Sequence, residues 1–320
     1  MKNRIQYLDI AKLIGLALVC FCHIPIPEGN FHVWVYSFHM PLFFILSGMF
    51  FKPESGSIKA NTKQLLIPFV AFNIIVILFT VCLNLLLTNT VIFPENILSD
   101  LLKSKYIIGP SWFLLSLFCI RVFCGKLFSY LRIQELWAVC ILLLFIFYLT
   151  KDCMLWDILS LGSTLLGLPF YVLGFSYKDY ALNHINDGGV MVTLAILGLS
   201  CLSIFNGLVG MYEHSFGISL FGFYFLGTLG TIAIVRLSLH LRIPSLILDT
   251  FMQGAVFYIC MHTLMFNYML LFGNKITGDF SGNTIIEKII VTIFTFIVSY
   301  PIIRFMLRYT PILLGKQLKK

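Results

Sequence analysis

Apolar stretches about as long as a bilayer is thick recur from one end of this sequence to the other, and they leave few folds open to it. A helix rising about 1.5 Å per residue needs about 20 residues to cross a hydrocarbon core about 30 Å thick. Such stretches begin near Tyr7, Val33, Leu65, Trp112, Leu136, Ile158, Val190, Ile218, Ala255 and Ile289. They end near His23, Phe51, Leu87, Phe128, Leu149, Phe175, Val209, Val235, Phe272 and Leu307. With no water in the bilayer interior, each must satisfy its own backbone groups, which makes each a helix. The expected fold is therefore all-α, a polytopic integral membrane protein of about ten transmembrane helices. Composition agrees, since a chain with 59% hydrophobic and only 11% charged residues cannot cover a soluble surface. Residues 1–320 read as a single domain, and the longest loop, Thr88 to Ser111, has room for no more than a short interfacial helix.

Basic residues set the orientation. If the N-terminus is cytoplasmic, only Lys103, Lys105, Lys151, Lys275 and Lys288 of the 22 Lys and Arg fall on the outer side. Lys12 and Arg121 are intramembrane, and the rest fall inside, so both termini are expected in the cytoplasm. The net charge of +8 thus concerns topology, with no nucleic-acid partner. Lys2 and Arg4 precede an apolar run as in a signal peptide. Asp9 and Lys12 interrupt that run and no small-x-small cleavage site follows, which marks a retained first helix. Most of the nine cysteines lie in apolar segments and no zinc-type Cys/His spacing occurs, so neither disulfide nor metal is expected.

Ionisable residues inside the spans point to function, because they are costly there. In the first span Asp9, Lys12 and His23 share one stripe. The eleven-residue step from Lys12 to His23 returns to within about 20° of one direction and covers roughly 16 Å along the axis. The helix then offers a cation near its inner end and a titratable base near its outer end. In FHMPLFFILSG, Phe38 to Gly48, Pro41 withholds a backbone donor close to His39, whose depth matches that of His23. His39 either shares an outer cavity with His23 or bonds to a neighbouring helix. In GPSWFLLSLFCIR, Trp112 suits the outer interface, and Arg121 lies roughly 13 Å deeper. Arg121 either pairs with Asp9, in competition with Lys12, or attracts an anionic substrate, with phosphates the first choice. His262, mid-helix in the ninth span, reads as a packing residue, and His32, His184, His214 and His240 read as solvated loop residues. A neutral imidazole with a pKa of about 6.5 accepts a hydroxyl proton near pH 7, which fits His23 for general-base work. The residues alone give no reaction.

These segments resemble the membrane-bound acyltransferase family 3, in its fucose 4-O-acetylase-like and surface-polysaccharide O-acetyltransferase branch. Lys12 and His23 match the family's basic residue, ten-residue gap and histidine, with LDIAK at Leu8 to Lys12 leading in. FHMPLFFILSG is similar to its second-helix signature, PSWFLLSLF at Pro110 to Phe118 to its Trp-Phe-Leu segment, and YICMHTLMF at Tyr258 to Phe266 to its late His-containing helix. The resemblance implies transfer of an acyl group, commonly acetyl from cytoplasmic acetyl-CoA, to a hydroxyl of a sugar or lipid-linked glycan. Acyl-CoA would be a donor substrate, with no permanently bound cofactor. The setting would be a bacterial plasma (inner) membrane, with membrane lipid around the chain. His23, Lys12 and Asp9 become the candidate catalytic residues. Arg121, His39, Trp112, Ser47 and His262 become the candidate substrate-binding ones, with Arg121 toward acyl-CoA. Attack by the hydroxyl is direct, or passes through an acyl-His or an acyl-Ser at Ser47 or Ser37. Lys at position 12, where many relatives have Arg, keeps the charge but gives up bidentate phosphate binding.

The competing class is a transporter or exporter of a polysaccharide or small metabolite, with the same ionisable residues as gating groups. Broken helices in matching positions of two halves would favour it. Pro41 has no convincing counterpart.

Overall fold

The computed structural model describes residues 5–24, 29–52, 57–88, 109–128, 130–277, 282 and 284–316, and the interfacial helix considered for the long loop lies outside them. The protein is a helical bundle. Its elements are α1 (Gln6–His23), α2 (Asn30–Met49), α3 (Ile58–Asn61) running through a π-turn into α4 (Ile67–Thr88), α5 (Trp112–Leu127), α6 (Ile133–Leu149) and α7 (Leu161–Ser176). They continue with α8 (Lys178–His184), α9 (Gly189–Ser200), α10 (Ser203–Asn206), the hairpin β1 (Val209–Gly210) and β2 (Ser215–Phe216), α11 (Leu220–Ser238), α12 (Ser245–Gln253), α13 (Ala255–Thr277) and α14 (Ile285–Tyr309). Seven helical stretches among the described residues are long and apolar enough to cross a membrane. The other three expected spans have α2, α5 and α6 in their places. Outward-facing Ile141, Phe145, Ile290, Phe294 and Ile297 are exposed, as side chains solvated by lipid would be.

The core forms around α2, which packs against α7 and α11 through glycines. A Cβ on Gly48 would collide with the Tyr171 carbonyl of α7, and one on Gly174 with the Ile45 carbonyl of α2. Gly230 of α11 likewise receives the Phe38 ring. Small residues let these backbones approach closely, which is how helices associate where apolar burial gives no driving force.

One end of the bundle gathers the start of α1, the end of α11 and the C-terminal segment. The Ser238 hydroxyl donates to the Tyr7 carbonyl at 2.7 Å, and Gln6 Nε2 to the Ile243 carbonyl at 3.1 Å. Pro68 cannot donate to the Gln64 carbonyl, and the π-turn Thr62–Leu66 lies just before it. Gly315 packs against that carbonyl. Arg236, counted from sequence as an inner loop cation, is instead buried. Its guanidinium donates to the carbonyls of Ile185, Asp187 and Gly189 and to the Thr193 hydroxyl, tying α11 to the α8–α9 connection.

The seventh span departs from expectation. It was expected to run to Val209, but α9 stops at Ser200, α10 adds one turn, and the chain then folds into the β1–β2 hairpin. Gly207 (φ 82°) and Gly217 (φ 72°) adopt the left-handed conformations that bracket the hairpin. Asn206 fastens its base, donating to the Phe216 carbonyl at 3.0 Å and accepting from the Ser219 amide at 3.0 Å. Hydropathy continues through this stretch, but the backbone does not.

Candidate active site

The hairpin closes over the C-terminal end of α1 and the N-terminal ends of α2 and α5. Between them lies a small cleft lined by His23, His39, Tyr36, Trp112, Tyr212 and Glu213 among others, with Leu16, Phe43 and Phe113 at its apolar side. His23 occupies the last position of α1, and its ring centroid lies 6.5 Å from that of His39 on α2. Tyr36 packs beside both rings, 4.8 Å from His39 and 6.1 Å from His23.

The third ring is His262. The residues alone read it as packing and the family resemblance as substrate-binding; α13 delivers it to 5.2 Å from His23, at 0% exposure. A pattern along one helix cannot reveal a contact made between two. Tyr258, one turn earlier, stacks on it, and Phe266 packs one turn later.

All three imidazoles are held in the same way. Nδ1 of His23, His39 and His262 lies 2.7, 3.0 and 2.8 Å from the carbonyl oxygens of Val19, Val35 and Tyr258, each one turn back on its own helix. A carbonyl oxygen only accepts, so each Nδ1 carries the hydrogen. In the neutral ring each Nε2 then presents a lone pair. Nε2 of His262 is buried without a hydrogen-bond partner among the described residues, an arrangement that costs about 1–3 kcal/mol. Three acceptor nitrogens at one depth make a site that seeks hydroxyl donors and can take up a proton.

The remaining sequence candidates lie elsewhere. Asp9 and Lys12 form an ion pair at 3.6 Å near the N-terminal end of α1, and Lys12 Nζ also sits 4.8 Å above the Phe50 ring. Asp9 is 14 residues from His23, about 21 Å along the helix, so it cannot orient the His23 ring; the Val19 carbonyl does that. The Asp9–Arg121 pair is not formed. Half-buried Arg121 reaches Gln64 Oε1 at 3.4 Å and lies beside the Tyr171 hydroxyl. Ser47 is eight residues from His39, about 12 Å further along α2, and so stands apart from the histidines. Trp112, expected at the membrane interface, is buried in the cleft wall because Tyr212 of the hairpin covers it, centroids 6.3 Å apart.

Two histidines expected to be solvated are partly enclosed. His32 stacks on Tyr36 at 4.0 Å, and His214 is enclosed by Phe147 and lies 3.9 Å from Asp157. Burial pushes the His214 pKa down, and the Asp157 charge offsets part of that shift. Lys288, read as an outer loop cation, is buried at the start of α14 with Nζ 5.3 Å from the Phe21 ring centroid. Sequence reasoning also missed Tyr36, Tyr212 and Glu213. The only signal for the last two was the glycine spacing of Gly207, Gly210 and Gly217. Among the described residues no group of three or more His, Cys, Asp or Glu is placed to hold a metal ion.

Comparison with known proteins bears on this geometry. The chain is similar to nodulation protein NolL of Mesorhizobium japonicum, 28% identical over 196 residues, which cover 56% of this chain and 49% of the relative. It therefore spans about half the length of the curated relative it matches. No solved structure matches. The Acyl_transf_3 family model, described as an acyltransferase domain, matches residues 5–304, nearly the whole chain, with α1, α2, the hairpin and α13 all inside it. The chain belongs to the Acyl_transf_3 family of acyltransferases.

Proposed function

We propose that this protein is a membrane O-acyltransferase that moves an acyl group, acetyl from cytoplasmic acetyl-CoA in the simplest case, onto a hydroxyl of a sugar or lipid-linked glycan. The observation that carries the reading is the set of three histidine acceptor nitrogens beside an outward cleft, in a chain of this family. The acceptor hydroxyl donates to Nε2 of His23. Its oxygen attacks the thioester carbonyl carbon as the O–H proton passes to that nitrogen. The C–S bond then breaks, its electron pair goes to sulfur, and the imidazolium returns the proton to the thiolate. Base catalysis of this kind contributes about a hundredfold to ten-thousandfold. Lys12 and Arg121 at the inner end suit the donor's phosphates, and the rise of about 16 Å from Lys12 to His23 is comparable to an extended pantetheine arm.

Transfer of labelled acetyl from acetyl-CoA to membrane or glycan fractions tests the reading, with mass spectrometry of surface glycans from cells with and without the gene to identify the product. Substrate flux that depends on His23, in the absence of any acyl transfer, would turn the assignment toward transport.

Two expected results belong to this reading. Arg121→Lys should raise the KM for acetyl-CoA about tenfold while the protein remains folded, because one ammonium replaces a fork of guanidinium donors. An unchanged KM would remove Arg121 from the donor site. With both termini in the cytoplasm, an impermeant thiol reagent added outside should label Glu28→Cys and spare Lys2→Cys. The reverse pattern would put His23 on the wrong side for an outward acceptor.

A further inference from the structure

We propose that the outer cleft selects an uncharged, hydroxyl-rich ring as its acceptor, and that Glu213 on the hairpin is the residue that disfavours anionic rings. The inference rests on the reading of this cleft as the acceptor site.

The polar groups of the cleft set the chemistry of what can enter it. His23 and His39 contribute Nε2 lone pairs, Glu213 contributes a carboxylate, and Tyr36 and Tyr212 contribute hydroxyls. Imidazole nitrogens of this tautomer and carboxylates only accept, so the ligand must bring the donors. Hydroxyl groups do so without adding charge. Among the described lining residues there is no Lys or Arg to receive a carboxylate or phosphate. Trp112 and Tyr212, tilted 34° to one another, add aromatic surface for the C–H face of a sugar ring.

Glu213 is placed by the fold. Its neighbour His214 takes a left-handed backbone (φ 56°), and the Ser163 hydroxyl holds the Met211 carbonyl at 3.1 Å. Among the described residues around it the fixed charges are negative. His214, whose pKa burial lowers, is neutral near pH 7 and cannot cancel Glu213, and Asp157 behind the hairpin adds a second carboxylate. His32 is engaged with Tyr36, and Lys288 sits over Phe21, outside the cleft lining. An anionic sugar would approach carboxylates with no compensating cation among these residues.

The test uses the full chain in proteoliposomes with labelled acetyl-CoA on the inner side. The acceptors are n-dodecyl β-D-glucopyranoside and n-dodecyl β-D-glucuronide, which differ in one carboxylate. The parent should acylate the glucoside with kcat/KM about fivefold or more above the glucuronide, the size expected of one unscreened like-charge contact, and the preference should shrink as salt is raised. Glu213→Gln should erase the preference and Glu213→Lys should invert it. Binding is read in parallel as quenching of the Trp112 fluorescence, taken as the difference from Trp112→Phe. If the glycosides bind with the expected ratio but are never acylated, the acyltransferase reading fails and the selectivity stands. If Glu213→Gln leaves the ratio unchanged, if the parent prefers the glucuronide, or if neither glycoside binds or reacts, the selectivity proposal is overturned.

Discussion

His23→Ala is expected to lower acyl transfer at least about a hundredfold while leaving a folded, membrane-inserted protein. The change removes the Nε2 lone pair at the cleft and strands no buried charge, so the stability cost should stay near about 1 to 3 kcal/mol. The rate is measured as labelled acetyl incorporation per folded molecule. His262→Ala cannot serve as the neutral control, because its ring lies only 5.2 Å from His23 and the cavity left behind would disturb the base. His240→Ala can serve, since His240 is exposed in the turn after α11, at the opposite end of the bundle. Equal activity of His23→Ala and His240→Ala would end the assignment of His23 as the base.

Arg236→Ala should do the most damage to the fold. The guanidinium is 3% exposed and satisfies three backbone carbonyls and one hydroxyl around the α8–α9 connection. Truncation takes the shared donor from all four acceptors and leaves a cavity where the guanidinium was buried, at an expected cost of about 3 kcal/mol. Arg236→Lys should recover only part of that, because one ammonium cannot span four acceptors fixed to a planar fork. Thermal unfolding in detergent, followed by size-exclusion chromatography, would rank the parent above Arg236→Lys and Arg236→Lys above Arg236→Ala. An alanine variant as stable as the parent would mean that water replaces the guanidinium and that the α8–α9 connection is not held by it.

The helices were legible because the bilayer enforces a length and a composition that hydropathy reads directly. The depth of His23 and His39 was legible too, since residue count along a helix fixes height in the membrane. Neighbours across helices were not. Nothing in YICMHTLMF says that His262 will face His23, and nothing around Arg236 says that it will turn inward to collect carbonyls. The hairpin was hidden for a different reason. Val209, Met211 and Tyr212 are as apolar as a helix interior, so hydropathy ran through them, and only the glycines on either side marked a change of direction. That one misreading concealed Tyr212 and Glu213, and it is also why Trp112 was expected at the interface when it lies under the hairpin.

The unbroken course of α1 from Gln6 to His23 makes it a ruler between the two ends of the proposed site. The distance from Lys12 to His23 is set by a count of residues and by no adjustable contact. Adding one alanine within Ile14–Leu18 would turn His23 by about 100° away from the cleft, whereas adding four would bring it back to nearly the same face, about 6 Å too far along. In the proposed reaction, any motion that admits the donor arm therefore has to come from the side chains facing α1. Phe43 and Phe113, in contact with one another at 5.9 Å and with Phe43 pressed against Gly15, are the ones in the way. The helix sets the reach, and its aromatic neighbours set the passage.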